Sequence, residues 1–365
     1  MMVTSNSILK KLLLILLTIL LLYVGKDFLM PIAIGGVLAT LFLPLCKWLE
    51  KNIFNKALAA LICLFILLIL ITSAIALIGW KISALTYDFV QIKQKAMEAF
   101  SNAQEYIFYH LGISVEKQSQ ILNDEQPSIS LIMQKVGGSI SSIFTSFILV
   151  LAYLFLLLYY RIHIQNFLLK LTNLSNQEQT KKLIYSLTNV SRQYLIGLSK
   201  MIVCLWIMYS IGFGLLGVKN AIFFAVLCGL LEIVPFIGNI TGTTLTVLVS
   251  ALQGSSLPVL LGIIATYAIV QFIQGWVLEP LIVGRQVKIN PLFTIIALVL
   301  GELIWGIPGI FLAIPLLAMF KALCDHVKSL QPLGFLIGEI ESKKNELTII
   351  KKVKSLYDKR PKTKA

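Results

Sequence analysis

The sequence has few charged residues for its length. Only 13% of the 365 residues are Asp, Glu, Lys or Arg, whereas 58% are hydrophobic and the mean hydropathy is +0.87. A soluble domain normally carries about a quarter charged residues. So much apolar surface needs lipid as its solvent, which excludes a soluble enzyme, a disordered chain and a secreted disulfide-rich domain.

Residues that could hold a cofactor are also scarce. The five cysteines lie in or beside apolar runs, which favours packing over disulfides or metal ligation. The three histidines are dispersed, and neither a His-Glu-x-x-His pair nor a Walker-type phosphate loop occurs. We therefore expect no metal, no other cofactor and no enzymatic activity. The net charge of +14 would suggest nucleic acid in a soluble protein, but here we interpret it as a sign of membrane topology, with no nucleic-acid partner.

Long uncharged runs predict membrane-spanning helices. The windows 57–80 and 137–160 contain no charged residue, and as helices each would reach about 36 Å across a hydrocarbon core of about 30 Å. Two shorter apolar runs, 8–24 and 28–46, precede them. The tripeptide Gly25-Lys26-Asp27 between these runs predicts a tight polar hairpin that joins two further spans.

The polar segments differ in charge, which predicts their sides of the membrane. Segment 81–136 carries five Lys and six acidic residues, 161–200 carries six basic and one acidic, and 321–365 carries eleven basic and five acidic. Positive charge favours the cytoplasmic side, so we expect 161–200 and both termini inside and 81–136 outside. The external segment has the apolar period of an amphipathic helix. It could pack on its own chain or pair with a second copy in a homo-oligomer.

Two apolar segments of the C-terminal half are interrupted at their centres. Segment 221–253 contains Glu232-Ile-Val-Pro-Phe-Ile-Gly-Asn-Ile-Thr-Gly242, and segment 291–320 contains Glu302-Leu-Ile-Trp-Gly-Ile-Pro-Gly309. Proline removes a backbone donor and glycine admits a positive φ, so a helix should break there. If 201–218 and 258–278 are full spans, each broken segment is a re-entrant hairpin, and the two enter from opposite faces. Two kinked full spans are the alternative.

The broken segments hold the best candidates for function. A charged side chain at mid-membrane costs about 2.5–3.5 kcal/mol, so the two glutamates need a reason to be there. They could bind a proton or cation, or they could cap half-helices or pair with Lys219, Arg285 or Lys288. The predicted solute or ion pathway comprises Glu232, Pro235, Gly238, Asn239, Gln271, Gln274, Glu302, Trp305, Gly306, Pro308 and Gly309. A structural role is predicted for Glu279, Pro280, Gly284, Pro291 and Pro315.

The proline, glycine and glutamate motifs quoted above resemble those of the bacterial autoinducer-2 exporter family of transporters. The same resemblance extends to the run Trp305-Gly-Ile-Pro-Gly-Ile-Phe-Leu-Ala-Ile-Pro-Leu316. The likeness is densest over 195–320. It implies a bacterial cytoplasmic-membrane permease of about eight membrane-inserted segments that does not hydrolyse ATP. Members of this family have been linked to export of the quorum-sensing signal autoinducer-2 and to sodium/proton exchange.

The sequence thus predicts an all-α polytopic membrane protein with two broken helical hairpins and an external amphipathic segment. Its expected divisions are 1–80 with three N-terminal spans, 81–136 outside, 137–160 as a span, 161–200 as cytoplasmic helices, 201–320 as the transport core, and 321–365 as a basic cytoplasmic tail. We expect a secondary permease that exports a small polar solute such as autoinducer-2, coupled to a proton or sodium gradient. A sodium/proton antiporter is the alternative within the family, and a non-transporting membrane scaffold is the alternative from another class.

Overall fold

The computed structural model describes residues 5–52, 55–87, 89–112, 114, 117, 129–173, 176–233, 237–284 and 288–339. Nearly all of these residues are helical, and an isolated antiparallel bridge joins Ile289 to Gly338. The predicted all-α class is confirmed. The segment 118–128 and the tail beyond residue 339 lie outside the described residues.

Thirteen helical elements follow one another along the described part of the chain. They are α1 (Ser5–Val24), α2 (Lys26–Asn52), α3 (Lys56–Tyr87), α4 (Phe89–Leu111), α5 (Ile129–Lys170), α6 (Gln177–Leu215), α7 (Ala221–Leu231), α8 (Ile237–Leu252), α9 (Leu257–Ile273), a π-helical segment (Gln274–Gly284), α10 (Pro291–Trp305), α11 (Ile307–His326) and α12 (Gln331–Ile337).

Six of the described helical stretches are long and apolar enough to cross a membrane. They are Lys26–Asn52, Lys56–Leu77, Ser142–Lys170, Gln177–Leu215, Leu257–Glu279 and Ile307–His326. Three shorter apolar helices, α7, α8 and α10, accompany them. Much of the apolar surface faces outward on these helices, as a lipid environment requires. The chain is a multi-pass membrane protein.

The junction between α1 and α2 differs from the expected hairpin. The Gly25 amide donates to the Leu21 carbonyl and the Leu29 amide to the Gly25 carbonyl, both at 2.8 Å, so the helical path largely continues through the junction. The two helices meet there and do not pack along their lengths. The count of three spans before residue 81 required the chain to reverse direction at Gly25, and the cytoplasmic N-terminus was derived from that count. Both therefore stay predictions.

Helix α6 also crosses an expected boundary. We expected a surface helix to end near residue 200 and a span to begin at 201, but Gln177–Leu215 is one helix of 39 residues. No proline interrupts this stretch, and its charged residues are confined to the N-terminal two thirds. The physical reason is that a change from polar to apolar sequence does not end a helix unless the backbone hydrogen bonding is also interrupted.

Two clusters of buried apolar side chains hold the helices together. The N-terminal cluster joins α2, α3 and α5 through Phe42, Cys46, Leu49, Ala59, Ala60, Cys63, Leu67, Leu154 and Leu158. The larger C-terminal cluster is centred on α6 and joins it to α2, α7, α9 and α11 through Val37, Leu205, Tyr209, Phe213, Phe224, Cys228, Ile263 and Leu312. All five cysteines are free thiols, and four of them are buried as packing residues.

Both interrupted segments are broken where the sequence predicts a break. Helix α7 ends at Leu231 and α8 begins at Ile237, while α10 ends at Trp305 and α11 begins at Ile307. At the second break Gly306 adopts φ 65°, which lies in the region that favours glycine. Each pair packs against itself, so each forms a helical hairpin. The depth at which these hairpins enter a bilayer stays a prediction.

Candidate functional site

Glu232 lies at the C-terminal end of α7, where the first hairpin breaks. Its amide still donates to the Cys228 carbonyl at 3.2 Å, so the side chain is held by the last helical turn. The residue is only 5% exposed. Its Oε1 accepts a hydrogen bond of 2.5 Å from Nε2 of Gln274, at the start of the π-helical segment. The break therefore places a carboxylate inside the protein against a neutral amide.

Three further side chains complete a buried polar group. Asn239 donates from Nδ2 to Oε1 of Gln274 at 3.4 Å and accepts from the Tyr209 hydroxyl at 3.4 Å. Gln271 donates from Nε2 to the same Gln274 oxygen at 3.5 Å. We call Tyr209, Glu232, Asn239, Gln271 and Gln274 the Glu232 cluster. Five helical elements contribute one residue each, so the cluster lies where α6, the C-terminal end of α7, α8, α9 and the π-helical segment converge.

One oxygen of Glu232 remains available. Oε2 is buried and has no hydrogen-bond partner among the described residues. Glu232 also makes no ion pair with any residue of the described ranges, so the expected pairing with Lys219 or Lys288 is not seen. Arg285, the third expected partner, lies outside those ranges. A buried carboxylate oxygen without a donor is costly, and a proton or a cation would offset that cost.

Glycine at position 238 makes this arrangement sterically feasible. A Cβ at Gly238 would lie 1.8 Å from the Leu231 carbonyl oxygen and 2.9 Å from the Glu232 amide nitrogen. One turn along α8, a Cβ at Gly242 would lie 3.0 Å from Cα of Cys228. The absent side chains let α8 cross the end of α7 at backbone contact, which brings Asn239 to the carboxylate side of the break.

The geometry of Gln274 depends on a change of helix type. Helix α9 gives way at this residue to the wider π-helical hydrogen bonding of Gln274–Gly284. Departures of this kind occur frequently at functional sites. Glu279, Pro280 and Gly284 all lie within this segment, and Glu279 is exposed.

The second hairpin places its predicted residues in a different environment. Trp305 donates from Nε1 to the Leu22 carbonyl at 3.0 Å, which fixes the hairpin turn to the end of α1. Trp305, Gly306 and Pro308 line a cavity of about 700 Å³ with residues of α2, α3 and α5. Lys26 and Asp27 also line this cavity, so it has a charged rim.

The two glutamates are not equivalent. Glu302 was expected to be buried like Glu232, but its side chain is exposed, and its backbone carbonyl accepts from the Gly306 amide at 2.7 Å. Helix α10 is almost uniformly apolar, so the sequence did not indicate which of its faces turns inward. The expectation of one buried carboxylate in each hairpin thus holds for Glu232 alone.

The structure describes three of the remaining predicted residues, and each has a position in helix packing or at a helix end. Gly309 packs backbone to backbone against Gly301, since a Cβ at Gly309 would lie 1.9 Å from the Gly301 carbonyl oxygen. Pro291 follows the Asn290 cap, whose Oδ1 accepts from the Leu292 amide at 3.0 Å. Pro315 is buried inside α11. Pro235 lies outside the described residues.

Tyr209 is a member of the Glu232 cluster that the sequence did not reveal. It lies in an uncharged run beside Phe213 and is fully buried, so by composition it resembles any other core aromatic residue. Its hydroxyl is a polar atom within an apolar span, and such atoms normally find a partner. That signal is present in the sequence but does not identify the partner.

Broken helices that converge on a buried carboxylate, inside a multi-pass helical protein, are typical of membrane transporters. Sequence comparison agrees. Residues 12–329 match the pattern of the AI-2E family transporter, and the chain belongs to this family.

Curated relatives resemble the chain over most of their length. "Putative transport protein YueF" of Bacillus subtilis is 25% identical over 310 residues, which cover 80% of this chain and 82% of the relative. A "Putative transport protein" of Borreliella burgdorferi is 24% identical over 89% of both chains. "Putative transport protein YhhT" of Escherichia coli is 22% identical over 92% of this chain and 95% of the relative. These relatives support a membrane transporter.

Proposed function

We propose that this protein is a secondary permease of a bacterial cytoplasmic membrane, with the Glu232 cluster on the pathway of a small polar solute or a monovalent cation. The observation that carries the proposal is the buried carboxylate, with one oxygen bound to Gln274 and the other without a partner among the described residues. Its described hydrogen-bond network consists of neutral amide and hydroxyl groups, which can both donate to and accept from a polar ligand.

The Glu232 oxygen Oε2 also supports coupling to an ion. When Glu232 is ionised, the site attracts a proton or a sodium ion. When that ion leaves, the buried charge lacks compensation. A carboxylate of this kind can therefore link ion movement to a change between two conformations. The side of the membrane rests on charge, since the basic segment 161–200 and the basic tail both favour the cytoplasm.

The two apolar clusters offer a mechanical basis for alternating access. The N-terminal cluster packs α2, α3 and α5, whereas the C-terminal cluster is centred on α6, and α2 contributes to both through Phe42 and Val37. We infer that the C-terminal half rocks against the N-terminal helices. The cavity between the α10–α11 turn and the N-terminal helices would change in volume during that motion.

Export of autoinducer-2 and sodium/proton exchange are the two substrate hypotheses. The cluster's uncompensated carboxylate favours a cation as one transported or coupling species, while its amides suit a small hydroxylated solute equally well. A non-transporting scaffold is the hypothesis from another class. The scaffold hypothesis gives no role to the buried Glu232 cluster, to which five helical elements contribute.

Flux through the purified full-length protein tests the proposal. In proteoliposomes we expect either uptake of autoinducer-2 or sodium-dependent movement of protons, at least about tenfold above protein-free vesicles. Autoinducer-2 would be measured with a reporter that responds to it, and proton movement with a pH-sensitive dye enclosed in the vesicles. If neither species moves under an imposed proton or sodium gradient, and a panel of small polar solutes also fails, the permease assignment is wrong and the scaffold is favoured.

A further inference from the structure

A second polar cavity lies far from the hairpin breaks in sequence, at the ends of α2 and α5 and the beginning of α6. It has a volume of about 190 Å³, and three cationic side chains, Lys47, Lys181 and Arg192, line it. The neutral polar lining residues are Gln165, Tyr185, Thr188 and Asn189. No acidic residue of the described ranges lines this cavity, so its charge is uniformly positive.

The three cations have no carboxylate partners. Neither Lys47, Lys181 nor Arg192 makes an ion pair within the part of the chain that the structure describes. Arg192 donates one bond, from an Nη to the Asn189 side-chain oxygen at 2.8 Å. Its Nε is buried and has no acceptor among the described residues. A guanidinium held in this way is missing an acceptor, and an anion would supply it.

The neighbouring cation is already neutralised. Arg161 forms an ion pair with Glu50 and also donates to Cys46 Sγ at 3.4 Å. Both charged residues are largely buried. Arg161 is therefore a structural link between α5 and α2, and the positive charge of the cavity comes from the other three residues.

An apolar groove continues from this cavity. It has a volume of about 450 Å³ and shares Leu43, Lys47, Gln165, Ile184 and Thr188 with the cationic cavity. Away from that end it is lined by Gly36, Ala39, Leu157, Ile162, Ile164 and Leu168, together with Arg161, whose charge is paired with Glu50. A cationic cavity that opens into an apolar groove between membrane helices has the shape and polarity of a phospholipid.

We propose that this combined site, the Arg192 site, binds an anionic phospholipid, with the phosphate group among Lys47, Lys181 and Arg192 and an acyl chain along the groove to Gly36. The chemistry fits because the described residues that line the cavity include three cations without ion-pair partners and no acid, so a phosphate would meet only favourable charge there. A free phosphate ion would use the same three cations but leave the apolar groove without a ligand, which is why we favour the lipid. By charge the site belongs to the cytoplasmic leaflet.

Native mass spectrometry of the full-length protein tests this inference. Wild-type protein should retain phosphatidylglycerol in preference to phosphatidylcholine of the same chain length. Replacing all three cations (Lys47→Gln, Lys181→Gln and Arg192→Gln) should weaken phosphatidylglycerol retention on the order of a hundredfold, at roughly fivefold per charge. The matched control removes three exposed lysines of α2 and α6 that do not line the site (Lys51→Gln, Lys182→Gln and Lys200→Gln), and it should retain the lipid.

Two further experiments distinguish lipid binding from the binding of soluble phosphate and from an effect of misfolding. Gly36→Leu fills the groove without changing charge, because the nearest atom to a Cβ at Gly36 is a Leu157 methyl carbon at 3.8 Å. It should weaken lipid retention, whereas glycerol phosphate should compete poorly. Lys181 is exposed, so Lys181→Gln alone should fold normally and show the fivefold loss. Equal retention by the wild type and the triple variant overturns the site, and competition by glycerol phosphate with no effect of Gly36→Leu overturns the lipid assignment.

Discussion

Replacing Glu232 by Gln is expected to reduce flux through the protein by at least about tenfold and to remove its dependence on a proton or sodium gradient. Glutamine keeps an oxygen that can accept the Gln274 hydrogen bond, so the Glu232 cluster should stay assembled while the charge is lost. A hydrogen bond or contact with a charged group is worth about 1.5–3 kcal/mol, which corresponds to roughly ten- to a hundredfold. The measurement is initial flux in proteoliposomes with and without an imposed gradient.

The chain supplies a matched control for this variant. Glu302 lies near the break of the other hairpin, but it is exposed and outside the Glu232 cluster. Glu302→Gln should therefore leave flux and its gradient dependence unchanged. The proposed role of Glu232 would be contradicted if the two variants behaved alike, whether both were silent or both were impaired.

Adding a single methyl group at the hairpin crossings should prevent correct folding. In Gly238→Ala the new carbon would lie 1.8 Å from the Leu231 carbonyl oxygen, and in Gly309→Ala 1.9 Å from the Gly301 carbonyl oxygen. Both neighbours are backbone atoms, so the two helices of a hairpin must move apart. Overpacking typically costs about 1–3 kcal/mol and can cost more when the backbone shifts. We expect loss of the monodisperse peak in detergent, or a large drop in the melting temperature.

Gly214→Ala is the control for these substitutions. A Cβ at Gly214, on the exposed side of α6, would meet no atom within 4 Å. Alanine favours a helix over glycine by roughly 0.5–1 kcal/mol, so this variant should be neutral or slightly more stable. If all three variants melted at the wild-type temperature, the hairpins would not pack at the backbone distance described here.

The hairpin breaks could be predicted because their causes are local. Proline at position 235 lacks a backbone donor and glycine at position 306 admits a positive φ, so the residue types alone predict both breaks, whatever surrounds them. The contribution of both Gln271 and Gln274 to one site is also local, because residues three apart share a face of a helix. These features required only the sequence and the rules of helix geometry.

The partners within the site could not be predicted because they depend on tertiary packing. Tyr209 is separated by 30 residues from Asn239, and only the crossing of α6 with the first hairpin joins them. The burial of Glu232 and the exposure of Glu302 likewise depend on how each hairpin is rotated. In α10 almost every residue is apolar, so there is no periodic pattern from which that rotation can be read.

The predicted hairpin at Gly25 was wrong for a related reason. Charged residues at Lys26 and Asp27 indicate a polar position but do not determine whether the chain reverses there. The Gly25 hydrogen bonds largely preserve the helical path, and the carbonyl of Leu22 is bound by Trp305 of the second hairpin. A long-range contact thus stabilises a junction that local residues left undetermined.

The most direct test of the central claim is whether water reaches the Glu232 cluster. Asn239 and Ser250 are both almost fully buried on α8, but only Asn239 belongs to the cluster. We expect Asn239→Cys in membrane vesicles to react with a small, membrane-impermeant thiol reagent above the wild-type background, at a rate that changes when a gradient is imposed. Ser250→Cys should stay unreactive. If Asn239→Cys is as inert as Ser250→Cys under every gradient, the cluster is a dry packing element and the pathway does not run through it.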